Sequence, residues 1–313
     1  MNSASKPFAL LAALLLAACP GSIDPEERRD QGPKDSQPSD TETPADQRTP
    51  DRGAREAGVD APSPDSQRPD TQPPKPDIGP DGPQLTFCAH QPDATTLALF
   101  PFEVRQGGGQ FLDVTTAGYQ ATSHGTVQHG GSGKPGCTKA ALFDGQGGYL
   151  QIPHDSSFSL IRGSVDLWVR FDNSATAGIV SKDALGTNET GHITVQRICD
   201  GSIAVRKQET NNQSFVQCSA PIPNGTWVHV GVNFGTGGLE LWVDGVKSSR
   251  KGTVSCNGWV CGSSTESGIA GNTNPWVLGG DSMRSGDGKA TPVEHPLRGA
   301  IDSFRVSSAR RNF

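Results

Sequence analysis

The chain has 313 residues, a formal net charge of −6 and 33% hydrophobic residues, with 39 glycines and 24 prolines. The charge is uneven: residues 20–84 carry 15 acidic against 8 basic side chains, whereas residues 85–313 carry 18 of each. The second part therefore has no global positive field, which excludes recruitment of nucleic acid or anionic lipid by bulk charge.

The N-terminus opens with the apolar run Phe8–Leu16 and then Ala17-Ala18-Cys19. The run is too short for a bilayer-spanning helix, which needs about 20 apolar residues. It has the length of a signal-peptide core with small residues before the cut. Leu16-Ala17-Ala18-Cys19 resembles the lipobox of bacterial lipoprotein signal peptides. That resemblance implies removal of residues 1–18 and acylation of Cys19, giving a membrane partner through the N-terminal lipid. Two or three acyl chains, at about 0.8 kcal/mol per buried CH₂, hold a protein on a membrane almost irreversibly. Pro20 stands where inner-membrane enteric lipoproteins carry Asp, so the implied location is exported, at the outer membrane or cell surface.

Residues 19–84 read as a stalk. Aliphatic side chains are nearly absent (Ile23, Val59, Ile78), aromatics are absent, and Pro, Asp, Ser, Thr and Gln dominate. Such a segment cannot bury enough apolar surface to offset its ordering entropy. Asp recurs in a loose pentad at Asp30, Asp35 and Asp40, then Asp46 and Asp51, then Asp60, Asp65 and Asp70. Proline stiffness and like-charge repulsion make this a disordered, extended spacer.

Residues 85–313 read as one all-β domain. Short alternating apolar runs recur between turn signals: Thr96–Phe102, Tyr149–Ile152, Ser164–Phe171, His192–Ile198, Ile203–Gln208, Trp227–Phe234, Leu239–Val243, Trp276–Gly279 and Arg298–Val306. No run sustains a 3.6-residue period, so the pattern predicts an antiparallel sandwich or barrel. Gly235-Thr236-Gly237-Gly238 and Asp244-Gly245 read as hairpin loops. Cys88, Cys137, Cys199, Cys218, Cys256 and Cys261 form an even set, which in an exported domain predicts disulfides. No pair has the C-x2-C spacing of a zinc site. Sequence neighbourhood favours Cys88–Cys137, Cys199–Cys218 and Cys256–Cys261, among 15 possible pairings.

Several blocks, taken in order, carry a family resemblance. Ala98-Leu99-Phe100-Pro101-Phe102 is similar to a first strand. Ala141-Leu142-Phe143-Asp144-Gly145, Tyr149-Leu150-Gln151-Ile152-Pro153, Ser164–Val169 and Ile179–Lys182 follow. Trp227-Val228-His229-Val230 resembles a "W-x-H-V" strand, and Leu239–Gly245 resembles an "L-x-L-Y-V-D-G" hairpin. Leu297–Val306 resembles a closing "G-x-I-D-E-V-R-I" strand. Together they resemble laminin-G-like, concanavalin A-like lectin/glucanase jelly rolls. The resemblance implies two antiparallel sheets packed face to face, binding of glycan or protein ligands, and in some members structural calcium. Ser303, Gly148 and Val114–Gly118 depart from the family pattern.

The resemblance makes Asp113 and Asp302 the candidate Ca²⁺ ligands, with Arg298 and Arg305 as alternative partners of Asp302. Candidate ligand contacts are Trp259 and Asn257, between two cysteines, with Trp276, Asp281 and Asp287. Trp168, Trp227 and Trp242 read as core, and His229 as a packed or hydrogen-bonded strand residue. His124 and His129 lie in a Gly-rich stretch without carboxylates at metal spacing. None of the domain's Glu residues (103, 189, 209, 240, 266, 294) begins the Glu-x-Asp strand of sandwich glycosidases. Glu240 and Asp244 share a hairpin face, but Asp244 has a turn role. Gly-x-Ser-x-Gly is absent, and Gly133-Lys134 lacks the rest of a phosphate loop. The Asn-x-Ser/Thr sequences at Asn188, Asn212 and Asn224 receive no role in a bacterial lipoprotein. The expectation is a surface-anchored, non-catalytic recognition lipoprotein. The alternatives are a structural cell-envelope lipoprotein and, third, a polysaccharide-acting enzyme.

Overall fold

The structure is a computed structural model that describes Cys88 and residues 90–183, 190–210, 213–281 and 292–313. Residues 1–18, Cys19 and the stalk lie outside the described residues, as do Asp287, Asn188 and Asn212.

The strands, in chain order, are β1 (Thr96–Phe100), β2 (Arg105–Gln106), β3 (Gln110–Leu112), β4 (Gln120–His124), β5 (Val127–Gly130), β6 (Ala140–Asp144), β7 (Tyr149–Ile152), β8 (Arg162–Phe171), β9 (Ala177–Lys182) and β10 (His192–Arg197). They continue as β11 (Ser202–Gln208), β12 (Ser214–Pro221), β13 (Trp227–Gly235), β14 (Glu240–Val243), β15 (Val246–Lys247), β16 (Gly252–Thr253), β17 (Val260–Cys261), β18 (Trp276–Leu278) and β19 (Arg298–Ser307). An eight-stranded sheet runs β15-β14-β13-β8-β19-β6-β5, with β1 also paired to β19. A nine-stranded sheet runs β12-β11-β10-β9-β18-β7-β4-β3-β2. Both are antiparallel, and they stack as a jelly-roll sandwich, as the sequence predicted. Among the described residues no helix is long and apolar enough to cross a membrane.

Alternation builds the core, because successive strand side chains point to opposite faces. Val165, Leu167, Val169 and Phe171 of β8 enter it, as do Val228, Val230, Val232 and Phe234 of β13. From the facing sheet come Ile193 and Val195 of β10 and Ile203 and Val205 of β11. Trp276 of β18 meets Phe304 of β19 edge to face, with centroids 6.0 Å apart, so one ring pair joins the sheets. Aromatic pairs in this geometry add about 0.5–1.5 kcal/mol beyond burial.

β19 changes partners along its length. Its first half pairs with β6 and its second half with β1, while β8 follows the other edge. The register with β8 slips between Asp302 and Arg305, and Ser303 takes a left-handed φ of 52°. This is a bulge, which bends a strand and re-aims its side chains.

The tryptophan expectations are corrected. Trp276, expected at the ligand surface, is 1% exposed and sits in the core. Trp168, Trp227 and Trp242, expected in the core, are half-buried on the outer face of the eight-stranded sheet. Their strands do enter the core, but through the residues on either side of each indole. Cations cover two of the rings: Lys134 lies 5.1 Å from Trp168 and Arg170 lies 5.4 Å from Trp227.

The same outer face receives both ends of the described domain. Cys88 is bonded to Cys137, Arg311 forks onto Asp93 at 2.8 and 2.9 Å, and Ser308 N–H donates to Thr95. The ring of Phe313 lies over Gly231, where a Cβ would stand 2.4 Å from it. Glycine is thus required there by close approach.

Cys88–Cys137 forms as expected, but the other two pairings are corrected to Cys199–Cys256 and Cys218–Cys261. Strand register explains the difference. Cys218 stands opposite Ala204 on β11, whereas Cys199 lies before β11 begins. Cys218 points outward and meets Cys261 of the β16–β17 hairpin. The two bridges clasp residues 252–261 onto the nine-stranded sheet, over Ile198, Ala204 and Val216. Peptide mapping of the oxidised protein should recover Cys199–Cys256 and Cys218–Cys261 and no Cys256–Cys261 ring. Closing loops with sequence separations of 57 and 43 residues contributes about 4 kcal/mol each in the chain-entropy account. Replacing Cys218 and Cys261 together by Ser should therefore lower the melting temperature by several degrees.

Candidate functional site

The outer face of the nine-stranded sheet carries a connected row of polar side chains. Asp183, just beyond β9, is its hub. Asp183 Oδ2 accepts from the Thr194 hydroxyl at 2.9 Å and from Arg206 Nη2 at 2.8 Å. His192 Nδ1 lies 2.8 Å from Asp183 Oδ1, and Asn274 Nδ2 lies 3.0 Å from His192 Nε2. Burial pushes the Asp183 carboxyl up, but the His192 hydrogen bond and the Arg206 charge outweigh it and leave the group below its ordinary range.

The row extends in both directions. Toward β12, the Arg206 guanidinium lies 5.8 Å from the Trp259 ring centroid. Trp259 packs on the clasped patch and remains half-buried, between exposed Gly258 and Val260. Asn257 is exposed, and its Oδ1 accepts from Trp259 N–H at 3.1 Å, so it shapes the loop. In the other direction, the Thr194 hydroxyl lies 3.3 Å from the Asp281 carbonyl. Asp281 Oδ2 lies 2.6 Å from Nδ1 of exposed His295. Gly178 makes this possible, because a Cβ there would lie 2.1 Å from Asp281 N.

Lys182 fixes the loop behind the row. Its Nζ donates to the carbonyls of Asn272 and Asn274 at 2.6 and 2.5 Å. Burial lowers its pKa to about 8.

The sequence-predicted residues Trp259, Asn257 and Asp281 therefore belong to one face. Asp183, His192, Thr194, Arg206 and His295 were missed. For His192, Thr194 and Arg206 the only sequence signal was a run of charged and polar residues alternating with core residues on β10 and β11. The hollows beside Pro221 and Ile222 lie elsewhere. Their cations are already committed, Arg197 to the Asn173 and Ile222 carbonyls and Arg250 to Asp200.

Asp113 and Asp302 are not joined by any contact of either carboxylate. Asp113 accepts from the N–H groups of Leu99, Thr115 and Tyr119 and from the Thr115 hydroxyl. Those bonds occupy the carboxylate that a shared Ca²⁺ would use. Asp302 Oδ2 accepts from Lys134 N–H at 3.0 Å, and its buried Oδ1 has no hydrogen-bond partner among the described residues. Arg305, expected as an alternative partner, turns to Asp166 instead. His229 is hydrogen-bonded as expected, at 3.2 Å from Asp166. His124 stacks on Tyr149, and His129 Nε2 lies 2.9 Å from the Phe102 carbonyl. Glu240 is tied to Asn233, Lys247 and Arg310, and Asp244 accepts from His229 N–H.

Burial, aided by the nearby Glu103 charge, pushes Asp302 up to about 7. Above the unfolded-state pKa, near 4, the folded form then binds the extra proton. Stability from this group is complete below about pH 4 and is lost as pH rises toward 7, by up to roughly 1.4 kcal/mol per unit. Melting temperatures of wild type and Asp302→Asn should diverge in favour of the variant between about pH 4 and 7. A constant difference across that window would show that Asp302 does not titrate there.

The match to a family model agrees with this architecture. The family described as Laminin_G_3, concanavalin A-like lectin/glucanases superfamily, matches residues 144–312. Domain 4 of AbnA, a GH43 extracellular arabinanase from Geobacillus stearothermophilus solved in complex with arabinotriose, is similar at 20% identity. That match covers 68% of this chain and 92% of that one, with a TM-score of 0.48. The Ruminococcus gnavus IT-sialidase CBM40 bound to α2,3-sialyllactose is similar at 12% identity, over 50% of this chain and 80% of that one, with a TM-score of 0.38. Trypanosoma rangeli sialidase is similar at 16% identity, over 71% and 31%, with a TM-score of 0.47. No curated protein matches the chain. The family match spans more than half of the sequence, and the chain belongs to the Laminin_G_3 family of the concanavalin A-like lectin/glucanases superfamily.

Proposed function

We propose that this chain is a non-catalytic saccharide-binding protein, held at the cell surface by a lipidated Cys19 and a disordered stalk. The observation that carries the reading is the row Trp259–Arg206–Asp183–Thr194–Asp281–His295 on one outer sheet face. A saccharide presents two chemistries at once, apolar C–H faces and paired hydroxyls. The half-buried Trp259 indole meets the first by stacking, and the second is met by half-buried Arg206 and exposed His295, which the buried Asp183 and Asp281 hold in place. Few polar groups with locked positions suit recognition, because little ordering is left to be done on binding. Asp183 holds Arg206, and two disulfides hold the Trp259 hairpin, so both halves of the row are fixed in advance. Membership of a superfamily of lectins and glucanases supports the ligand class. The commitment of Glu240 and Asp244 to structural partners supports binding without hydrolysis.

The anchor rests on Leu16-Ala17-Ala18-Cys19 and on the stalk composition. Metabolic labelling with a fatty-acid analogue should mark the wild type and not Cys19→Ala. Equal labelling of the two overturns the anchor and leaves the head's function standing.

The head is tested separately. On a glycan array the purified protein should bind a defined subset of saccharides. Trp259→Ala should weaken that binding at least about tenfold, or ~1.4 kcal/mol. Trp227→Ala, on the opposite sheet, should leave it unchanged. Binding to no saccharide, or binding indifferent to Trp259→Ala, refutes the proposal.

A further inference from the structure

A second cluster lies on the other side of the sandwich, unrelated to the saccharide row. Asp166 of β8 points outward beneath the residues that follow Cys88, and its side chain is fully buried. Arg305 of β19 forks onto it, with Nε 2.9 Å from Oδ1 and Nη2 3.0 Å from Oδ2. Two imidazoles converge on the same Oδ2. His229 of β13 brings Nε2 to 3.2 Å, and His90 brings Nε2 to 3.0 Å.

This arrangement is overcrowded for hydrogen bonds alone. A carboxylate oxygen offers two lone pairs. The Arg305 fork occupies one at Oδ2, and two ring nitrogens compete for the other. His229 makes the hydrogen bond. His90 is 8% exposed, and its Nε2 is close enough to bond but has no hydrogen-bond partner in acceptable geometry. A buried ring nitrogen therefore points into the cluster without a satisfied bond, which is costly.

One cation resolves the competition by taking a lone pair from each group. The three candidate ligand atoms lie within 4.8 Å of one another. We propose that His90, Asp166 and His229 form a binding site for a zinc-like divalent metal ion. Two imidazoles and one carboxylate suit zinc, whose four-coordinate sites use such donors at about 2.0–2.2 Å. Tetrahedral ligands at that length stand roughly 3.3 Å apart, so the observed 3.0 and 3.2 Å need to open by only a few tenths of an ångström. Arg305 keeps Oδ1 and becomes the outer partner that orients the ligating carboxylate. Its positive charge opposes the metal, and the three ligands outweigh it. The ion would join β8, β13 and the segment after Cys88 into one clip.

The test uses the full chain, stripped with chelator and titrated with zinc sulfate. One zinc per chain should bind saturably in calorimetry and raise the melting temperature by several degrees. His90→Gln should abolish saturable binding while leaving the metal-free melting temperature near wild type, because His90 lies outside the strands. Should it fail to fold, His229→Gln, which removes a ligand atom and leaves the Asp166–Arg305 pair intact, should give the same loss. His295→Gln is the control, because Asp281, Glu294 and His295 form the competing surface cluster. Absence of saturable binding, binding that survives His90→Gln, or binding lost in His295→Gln overturns the proposal. Loss in His295→Gln would place the ion at the end of the saccharide row; the other outcomes do not bear on saccharide recognition.

Discussion

The two-residue period of β8, β13, β10 and β11 is the constraint on which the head depends. Once Val165, Leu167, Val169 and Phe171 commit to the core, Asp166, Trp168 and Arg170 are forced onto the outer face. The same commitment on β10 and β11 places Thr194 and Arg206 outside. Slipping β8 or β11 by one residue would put the Asp166 carboxylate or the Arg206 guanidinium between the sheets, at several kcal/mol each. The core thus fixes the positions of the polar rows, although it touches none of them.

Polar satisfaction supplies the second level of order. Lys182 and Lys207 are among the fully buried side chains, yet each has partners, Lys182 on two carbonyls and Lys207 on Glu209 and Ser267. Buried charges held this way add little net stability but penalise any other arrangement. The face around Asp183 is rigid for that reason. Its groups are held by one another and by the loop that Lys182 secures.

The sequence disclosed the sandwich because its strands are bounded by glycine turns and rich in β-branched residues. Tyr149–Ile152 and Ser202–Gln208 were legible to within a residue. Periodicity separates two faces without saying which is buried, and the tryptophans exposed that limit. Trp168, Trp227 and Trp242 alternate with valines and leucines that take the core, whereas Trp276 joins it from a short strand. Disulfide pairing depends on register between strands distant in sequence, and neighbourhood along the chain carries no information about it. Trp259 and Asp281 were legible because a loop tryptophan and a carboxylate in a glycine turn have no obvious core role. Arg206 and Asp183 were not, since a charged strand residue reads the same whether it faces solvent or a partner across the sheet.

The two bridges and the polar row sit on the nine-stranded sheet, while Cys88 and Cys137 sit against the eight-stranded one. Any pull between that row and Cys88 must therefore cross the full thickness of the sandwich. At the row's side the force enters through a hairpin with two covalent fastenings. At the chain side it arrives at a third, Cys88–Cys137, before it reaches β1. Strand β1 is thus spared the peeling force that would otherwise open β19 one hydrogen bond at a time. Tension instead loads the two sheets broadside, where many side-chain contacts must yield together.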